Sequence, residues 1–350
     1  MPEYIIGWDI GGAHLKAAVI ETGGVVTKVV QVPCPLWKGM NELEAAIEAV
    51  GKIIPFKSAL HAVTMTGELV DLFESREQGV NAIVQIIQQQ FSGEKIKIFA
   101  GNNGFLAPKQ FGSEAVDVIA SANWLASATF AAQKIKNGLF IDIGSTTTDI
   151  LICSNSNVKA QGLTDFERLV SEELVYTGIV RTPVMAVSYY AEFQGNRVGL
   201  MAEYFATMAD IYRLTGELNE VHDQADTADG AAKDFTSSAR RLARMIGYDY
   251  VVEEKPAWLQ LAKNIRSKQL TRIQQACEKQ LSRAILAPDD YFIGAGIGRF
   301  LVKQLANQLG HPYIDFSELF ECSVNYEEIS IADCAPAVSV GCLAGRSDND

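Results

Sequence analysis

No two of the six cysteines, at positions 34, 153, 277, 322, 334 and 342, stand at CxxC spacing, and none joins a histidine in a zinc-binding pattern. That excludes a structural zinc module and leaves reduced thiols in a cytoplasmic protein as the expected state. Histidine is scarce: only His14, His61, His222 and His311 occur, and no Ser/His/Asp order resembles a hydrolase triad. The last three have no recognisable partner and receive no role. Positive charge is in deficit, with 30 Lys and Arg against 42 Asp and Glu, a net charge of −12. Nucleic acid and anionic membranes are therefore not expected partners. The start, Met-Pro-Glu-Tyr, lacks the basic and apolar regions of a signal peptide. No run spans a bilayer; the Ala-rich stretch Ala115 to Ala132 is interrupted by Asp117, Asn123 and Trp124.

What is present is an ordinary globular composition, 48% hydrophobic and 21% charged, over 350 residues. That length predicts two domains, each with its own core. Tyr4 to Trp8 reads as a buried strand that turns at Gly11-Gly12 and returns through Leu15 to Ile20, with a third strand over Val25 to Val32. Helical spacing follows over Asn41 to Ile54 and Arg76 to Gln90, with strands over His61 to Thr66 and Lys95 to Ala100. Ala115 to Lys136 reads as one helix capped at Asn137-Gly138.

The opening pattern then recurs. IGWDIGGAHLKAAVI and LFIDIGSTTTDILIC share a frame of apolar strand, Asp-Ile-Gly, small residues and apolar strand. A repeat of whole supersecondary units predicts two similar domains facing each other, with a boundary near Gly138. Beyond Gly162 the chain reads as helical with loops to about Leu286, including helices over Glu203 to Thr215 and Thr236 to Ile246. Tyr291 to Ile293 reads as a strand, Gly294-Ala295-Gly296 as a turn, and Ala335 to Arg346 as a helix of small residues that would permit a homodimer. Ser347 to Asp350 read as a frayed end.

Asp9 and Asp142 occupy the same place in the two repeats, at the end of an apolar strand before a glycine turn. Two facing, poorly solvated carboxylates repel unless a divalent cation or a proton lies between them. Backbone N–H groups at Gly11, Gly12, Gly144, Ser145, Thr146 and Thr147 can point at phosphate oxygens, and Lys16 can reach a phosphate as a point charge. His14 lies inside the first loop. One such loop alone reads as a hairpin turn with an Asp cap; two in equivalent positions favour ligand binding.

DIGGAHLKAAV and DIGSTTTDI resemble the two phosphate motifs of the actin/sugar-kinase/Hsp70 superfamily, and IGAGIGRFLV resembles its adenosine motif, with Ala295 as a departure. The resemblance implies an α/β fold of two ribonuclease-H-like domains facing across a cleft. The first would cover residues 1–137, completed by the helix 335–346. The second would cover residues 138–334, with a helical insertion at about 163–286. It adds Gly294 and Gly296 to the phosphate-binding set, Asp9 and Asp142 as metal ligands, and Asp9, Lys16 and Asp142 as catalytic residues.

Within that superfamily the chain resembles the hydantoinase/oxoprolinase group, and more narrowly the tetrahydromethanopterin-linked one-carbon transfer proteins. The carrying segments are MTGELVDLF, TDFERL, ELVYTGIVRTPV, AEYFATMADIYRLTGEL and DQADTADG. That branch includes an archaeal enzyme of methanofuran biosynthesis, which joins an aminomethylfuran-methyl diphosphate to γ-glutamyltyramine and releases pyrophosphate. The resemblance thus implies a small-molecule diphosphate substrate, a phenolic acceptor and Mg²⁺ or another divalent metal. A base would take the phenolic proton, with Asp142 or Glu68 in view. Arg181, Glu203, Asp210, Asp226, Asp229 and Arg240 are candidate substrate contacts; the first five are equally compatible with a solvated helix face, a loop or a turn, and Arg240 reads rather as part of an exposed basic face. Two other classes stay open: an ATP-dependent kinase or amide-opening enzyme, and a non-catalytic nucleotide clamp.

Overall fold

In a computed structural model, which describes residues 3–21, 23–108, 115–323 and 328–346, each Asp-Gly segment opens a mixed sheet. The expected fraying of Ser347 to Asp350 lies outside the described residues. Strands β1 (Tyr4–Ile10), β2 (His14–Glu21) and β3 (Val26–Pro33) form an antiparallel meander. β4 (Ala59–Met65) adds parallel to β1, then β5 (Lys95–Phe99) and the short β6 (Phe105–Leu106), giving the order β3-β2-β1-β4-β5-β6. The second sheet repeats this scheme. β7 (Gly138–Ile143) and β8 (Thr148–Ser154) are antiparallel, with β9 (Asn157–Val158) and β10 (Leu174–Val175) on β8. β11 (Tyr190–Phe193) and β12 (Asn196–Gly199) form a separate hairpin. β13 (Tyr291–Ala295) joins β7 in parallel and β14 (Tyr313–Asp315) follows it.

The two sheets share one central layer. Ala18, Leu60 and Ala62 of the first and Phe140, Leu151 and Ile293 of the second meet in a single apolar cluster around the helices Asn123–Ile135 and Ala335–Arg346. The outer face of the first sheet is covered by Met40–Gly51 and Arg76–Gln90, which bury Leu43, Ile47 and Val50 and Val80, Ile83, Val84 and Ile87. The outer face of the second carries the insertion helices Met208–Thr215, Phe235–Met245 and Lys255–Leu281. Ala335 to Ala344 are buried on the first sheet, so these small residues are no exposed dimer face. Among the described residues no helix is long and apolar enough to cross a membrane.

Four expectations differ from the structure. Ala115 to Lys136 is not one helix. It breaks after Ile119, where Ser121 takes a positive φ of 53°, and restarts at Asn123. Its end is at Ile135 with Lys136 at positive φ, and Gly138 already belongs to β7. The helix read over Glu203 to Thr215 begins only at Met208. Residues before it pair with residues 180–184 instead, through Val184 N–H to Ala206 O and Met208 N–H to Thr182 O, both at 2.9 Å. Gly294 and Ala295 are the last two residues of β13, and the turn falls at Gly296 with φ 76°.

Candidate active site

The two hairpins end in the same backbone closure. Gly11 N–H donates to His14 O at 3.0 Å, and Gly144 N–H donates to Thr147 O at 2.9 Å. Each closure leaves the loop's remaining amides free. Among the described residues the N–H groups of Gly12, Ala13, Ser145, Thr146 and Thr147 donate to no protein acceptor. Unpartnered amides gathered on two loops are an anion-binding concavity. Both loops line one cavity of about 540 Å³ together with Asp9, His14, Lys16, Asp142, Arg168 and Arg181.

The registers show what the repeat conserves and what it changes. Asp9 stands opposite Lys16, and Asp142 stands opposite Asp149. Burial raises Asp9, partly offset by Lys16 and by the amide of Asn123, which donates to its Oδ1 at 3.4 Å. The break before Asn123 is what brings that amide to the cleft. Burial works against the charge on Lys16, yet the carboxylates around it, Asp9 first, raise it above the usual lysine range. Its ammonium has no ion pair or hydrogen bond among the described residues. Burial and then Asp149 push Asp142 up to about 7. Asp149 itself pairs with the buried Arg168 at 2.5 Å, and that guanidinium stacks 4.0 Å from the Trp124 ring centroid. His14 is driven down to about 3, by burial and then by Lys16, Arg181 and His222, so it is neutral.

The second loop is clamped by a segment whose role the sequence did not disclose. Ile179 N–H donates to Gly144 O at 3.0 Å, and Val180 and Arg181 N–H donate to Ser145 O at 3.1 and 2.9 Å. A Cβ on Gly178 would fall 2.5 Å from Thr146 N, so only glycine lets the two segments meet. Gln269, on the long helix, donates its amide to Gly178 O at 2.9 Å and to Thr177 Oγ1 at 2.7 Å. The TG in YTGIVRTPV was the only local signal for Gly178; Gln269 had none.

Several expected contacts are corrected. Gly294 lies under the Tyr313 ring, where a Cβ would be 2.7 Å from a ring carbon, and Gly296 donates its N–H to Ala332 O at 2.8 Å. Neither glycine offers an amide to the cavity. Glu203 is exposed, in a bend ahead of the helix. Arg240 points to solvent; its neighbour Arg241 is the buried one, holding Asp210 at 2.7 Å and Asp229 at 3.0 Å. Asp210 and Asp229 are thereby occupied, because a buried guanidinium needs such partners. Glu68 accepts from Ser121 at 3.0 Å and is not on the cavity wall, so of the two carboxylates in view as the base only Asp142 lines it. Arg181, Asp210 and Asp226 line a second cavity of about 420 Å³, which shares His14, Trp37 and Arg181 with the first.

For a divalent metal, the buried Asp9 and the half-buried Asp142 are oxygen donors of the right kind, and neither has an ion pair among the described residues. No group of three or more His, Cys, Asp and Glu is arranged for a metal among those residues. Two carboxylates suit an ion whose remaining ligands are water and substrate phosphate, not an all-protein cage.

The family model for hydantoinase/oxoprolinase matches residues 59–322. A synthase of Methanocaldococcus jannaschii, named for (4-{4-[2-(γ-L-glutamylamino)ethyl]phenoxymethyl}furan-2-yl)methanamine, is 33% identical over 305 residues, covering 87% of this chain and 89% of its own. A synthase of the same name from Methanococcus vannielii is 36% identical over 123 residues, 35% of this chain and 55% of its own. Among solved structures, a nucleotide-free acetone carboxylase superposes with a TM-score of 0.57 at 10% identity, over 98% of this chain and 70% of that one, a likeness of fold alone.

Proposed function

Because the chain belongs to the hydantoinase/oxoprolinase family, we propose that it is an ether-forming transferase of methanofuran biosynthesis. It would condense an aminomethylfuran-methyl diphosphate with the phenol of a γ-glutamylated tyramine or tyrosine and release pyrophosphate. The observation that carries this is the relative that is 33% identical over 87% of the chain, whose name describes a phenol joined through oxygen to a furan methylene.

The diphosphate is assigned to the two loops, whose free amides and the unpaired ammonium of Lys16 suit an anionic leaving group. Asp9 and Asp142 would hold Mg²⁺ or another divalent ion, which would supply charge neutralisation at the diphosphate. The phenolic oxygen forms its bond to the methylene carbon as the carbon–oxygen bond to the diphosphate breaks, and the furan ring shares the positive charge that develops there. The phenolic proton is assigned to the Asp142 carboxylate oxygen not taken by the ion, supported by the place of that residue on the cavity wall. The Tyr313 ring over Gly294 counts against adenine at that strand end.

Mass spectrometry after incubation with the furan diphosphate, γ-glutamyltyramine and Mg²⁺ tests the proposal, with ether and pyrophosphate in equal amounts expected. Calorimetry gives the contrary result its form: micromolar binding of ATP with no response to pyrophosphate would overturn the reading.

A further inference from the structure

The second cavity is built across the cleft. Trp37 and Lys38 come from the turn after β3, Arg181 from the clamp on the second loop, and Gln224 and Asp226 from the insertion. Its deep wall is already neutralised: Asp210 and Asp223 are held by Arg213, Arg241 and Lys233. What remains unmatched is at the mouth and on one side. Lys38 and Asp226 face each other at 4.0 Å with side chains 53% and 97% exposed, a separation too long for a hydrogen bond. The Oε1 of Gln224 is buried with no hydrogen-bond partner, an acceptor waiting for an N–H. The neck towards the catalytic cavity is formed by the Arg181 guanidinium, 5.2 Å from the Trp37 ring centroid.

We infer that this cavity is the subsite for the amino-acid end of the acceptor, taking its α-ammonium at Asp226 and Gln224 and its α-carboxylate at Lys38. The inference rests on the transferase reading for the identity of the acceptor. An opposite-charge pair in weak contact at a cavity mouth is the complement of a zwitterion, whose two charges can replace that one weak contact with two close ones. The flat faces of Trp37 and Arg181 at that junction then offer stacking surfaces for a planar phenol ring, with its oxygen directed at the loops and its tail in the second cavity. The same arrangement separates the substrates, because the diphosphate donor and the zwitterionic acceptor meet unlike charge patterns on either side of Trp37.

The test is calorimetry on the whole protein with γ-glutamyltyramine and with tyramine, in wild type and in Lys38→Ala, Asp226→Asn and Gln224→Leu. Wild type is expected to bind the glutamylated compound roughly tenfold more tightly than tyramine, equivalent to about 1.4 kcal/mol. Each variant should lose most of that margin while its tyramine affinity stays put. Lys38 and Asp226 are exposed, so their variants keep the fold and a null result counts. Equal affinity for the two compounds in wild type, or an unchanged margin in all three variants, overturns the subsite. Ether formation is followed separately by mass spectrometry. Selective binding without any ether product sinks the transferase reading and leaves the subsite standing; ether formation without selectivity does the reverse.

Discussion

The carboxylate of Asp142 rests against the backbone of Gly296: a Cβ at that glycine would lie 2.3 Å from Asp142 Oδ1. Gly296 also has a φ of 76°, and its N–H is held by Ala332. The glycine read from sequence as a phosphate donor therefore sets the position of a carboxylate. Gly296→Ala should displace Asp142 and cost roughly 1–2 kcal/mol for the left-handed backbone alone. Activity is expected to fall much further than the melting temperature, and full activity in a folded Gly296→Ala protein would remove this role.

Asp9→Asn and Lys16→Met separate fold from chemistry. Both positions sit in β1 and β2, whose ladder does not depend on these side chains. Loss of product by more than about a hundredfold is expected, with an unchanged circular dichroism spectrum. For Lys16→Met the accompanying sign is weaker binding of pyrophosphate in calorimetry.

Asp142→Asn gives opposite results for activity and stability. The folded state raises the pKa of Asp142, so it favours the protonated form, and stability is lost as pH rises from the ordinary carboxylate range through about 7. The amide has no such charge. The ligand-free variant should be inactive yet more resistant to urea than wild type at pH 8, with the gap closing towards pH 4. An Asn variant less stable than wild type at pH 8 would contradict the assigned burial.

His61 titrates in the other direction. Its Nδ1 accepts from Trp8 Nε1 at 3.1 Å, its Nε2 lies 3.3 Å from Phe56 O, and its ring stacks 3.9 Å from Phe91. Burial holds it down to about 4. A lowered histidine pKa means stability present above the unfolded value near 6.5 and lost as pH falls through 4, by roughly 3 kcal/mol. His61→Phe leaves the Trp8 indole unpaired, at about 1–3 kcal/mol near neutral pH. The difference between the two proteins should shrink on acidification, read from urea midpoints between pH 7.5 and 4.5.

Asp149→Ala leaves Arg168 buried and unpaired, with side-chain exposures of 2% and 16% in the native pair. A loss of about 3–5 kcal/mol is expected. Replacing both residues with apolar ones should recover much of it; no recovery would mean that Asp149 stabilises by another route.

The loops were legible because each is a local device: an apolar strand, an aspartate, a glycine turn and a returning strand lie within fifteen residues and occur twice. The helix Arg76–Gln90 was legible for the same reason, its stripe and its Ser75 cap being adjacent in sequence. The second cavity was not, because its lining is drawn from five separate segments of the chain. Glu203 was misplaced because local helix preference lost to pairing with residues 180–184. Arg240 and Arg241 are both basic and neighbours, and only the packing of Asp210 decides which one turns inward. Gln269 acts at a distance of 91 residues from Gly178, beyond any pattern that spacing can reveal.

The repeat breaks its own symmetry at one register position, lysine in the first hairpin and aspartate in the second. A cleft built from two matching halves would otherwise treat its two ends alike, and a diphosphate could enter either way round. With an ammonium on one wall and an arginine-bound carboxylate on the other, the cavity acquires a polarity. On the proposed reading, the phosphate that faces Lys16 would set the orientation of the ligand, and a reversal of those two side chains would turn it round and strand the methylene carbon away from its nucleophile.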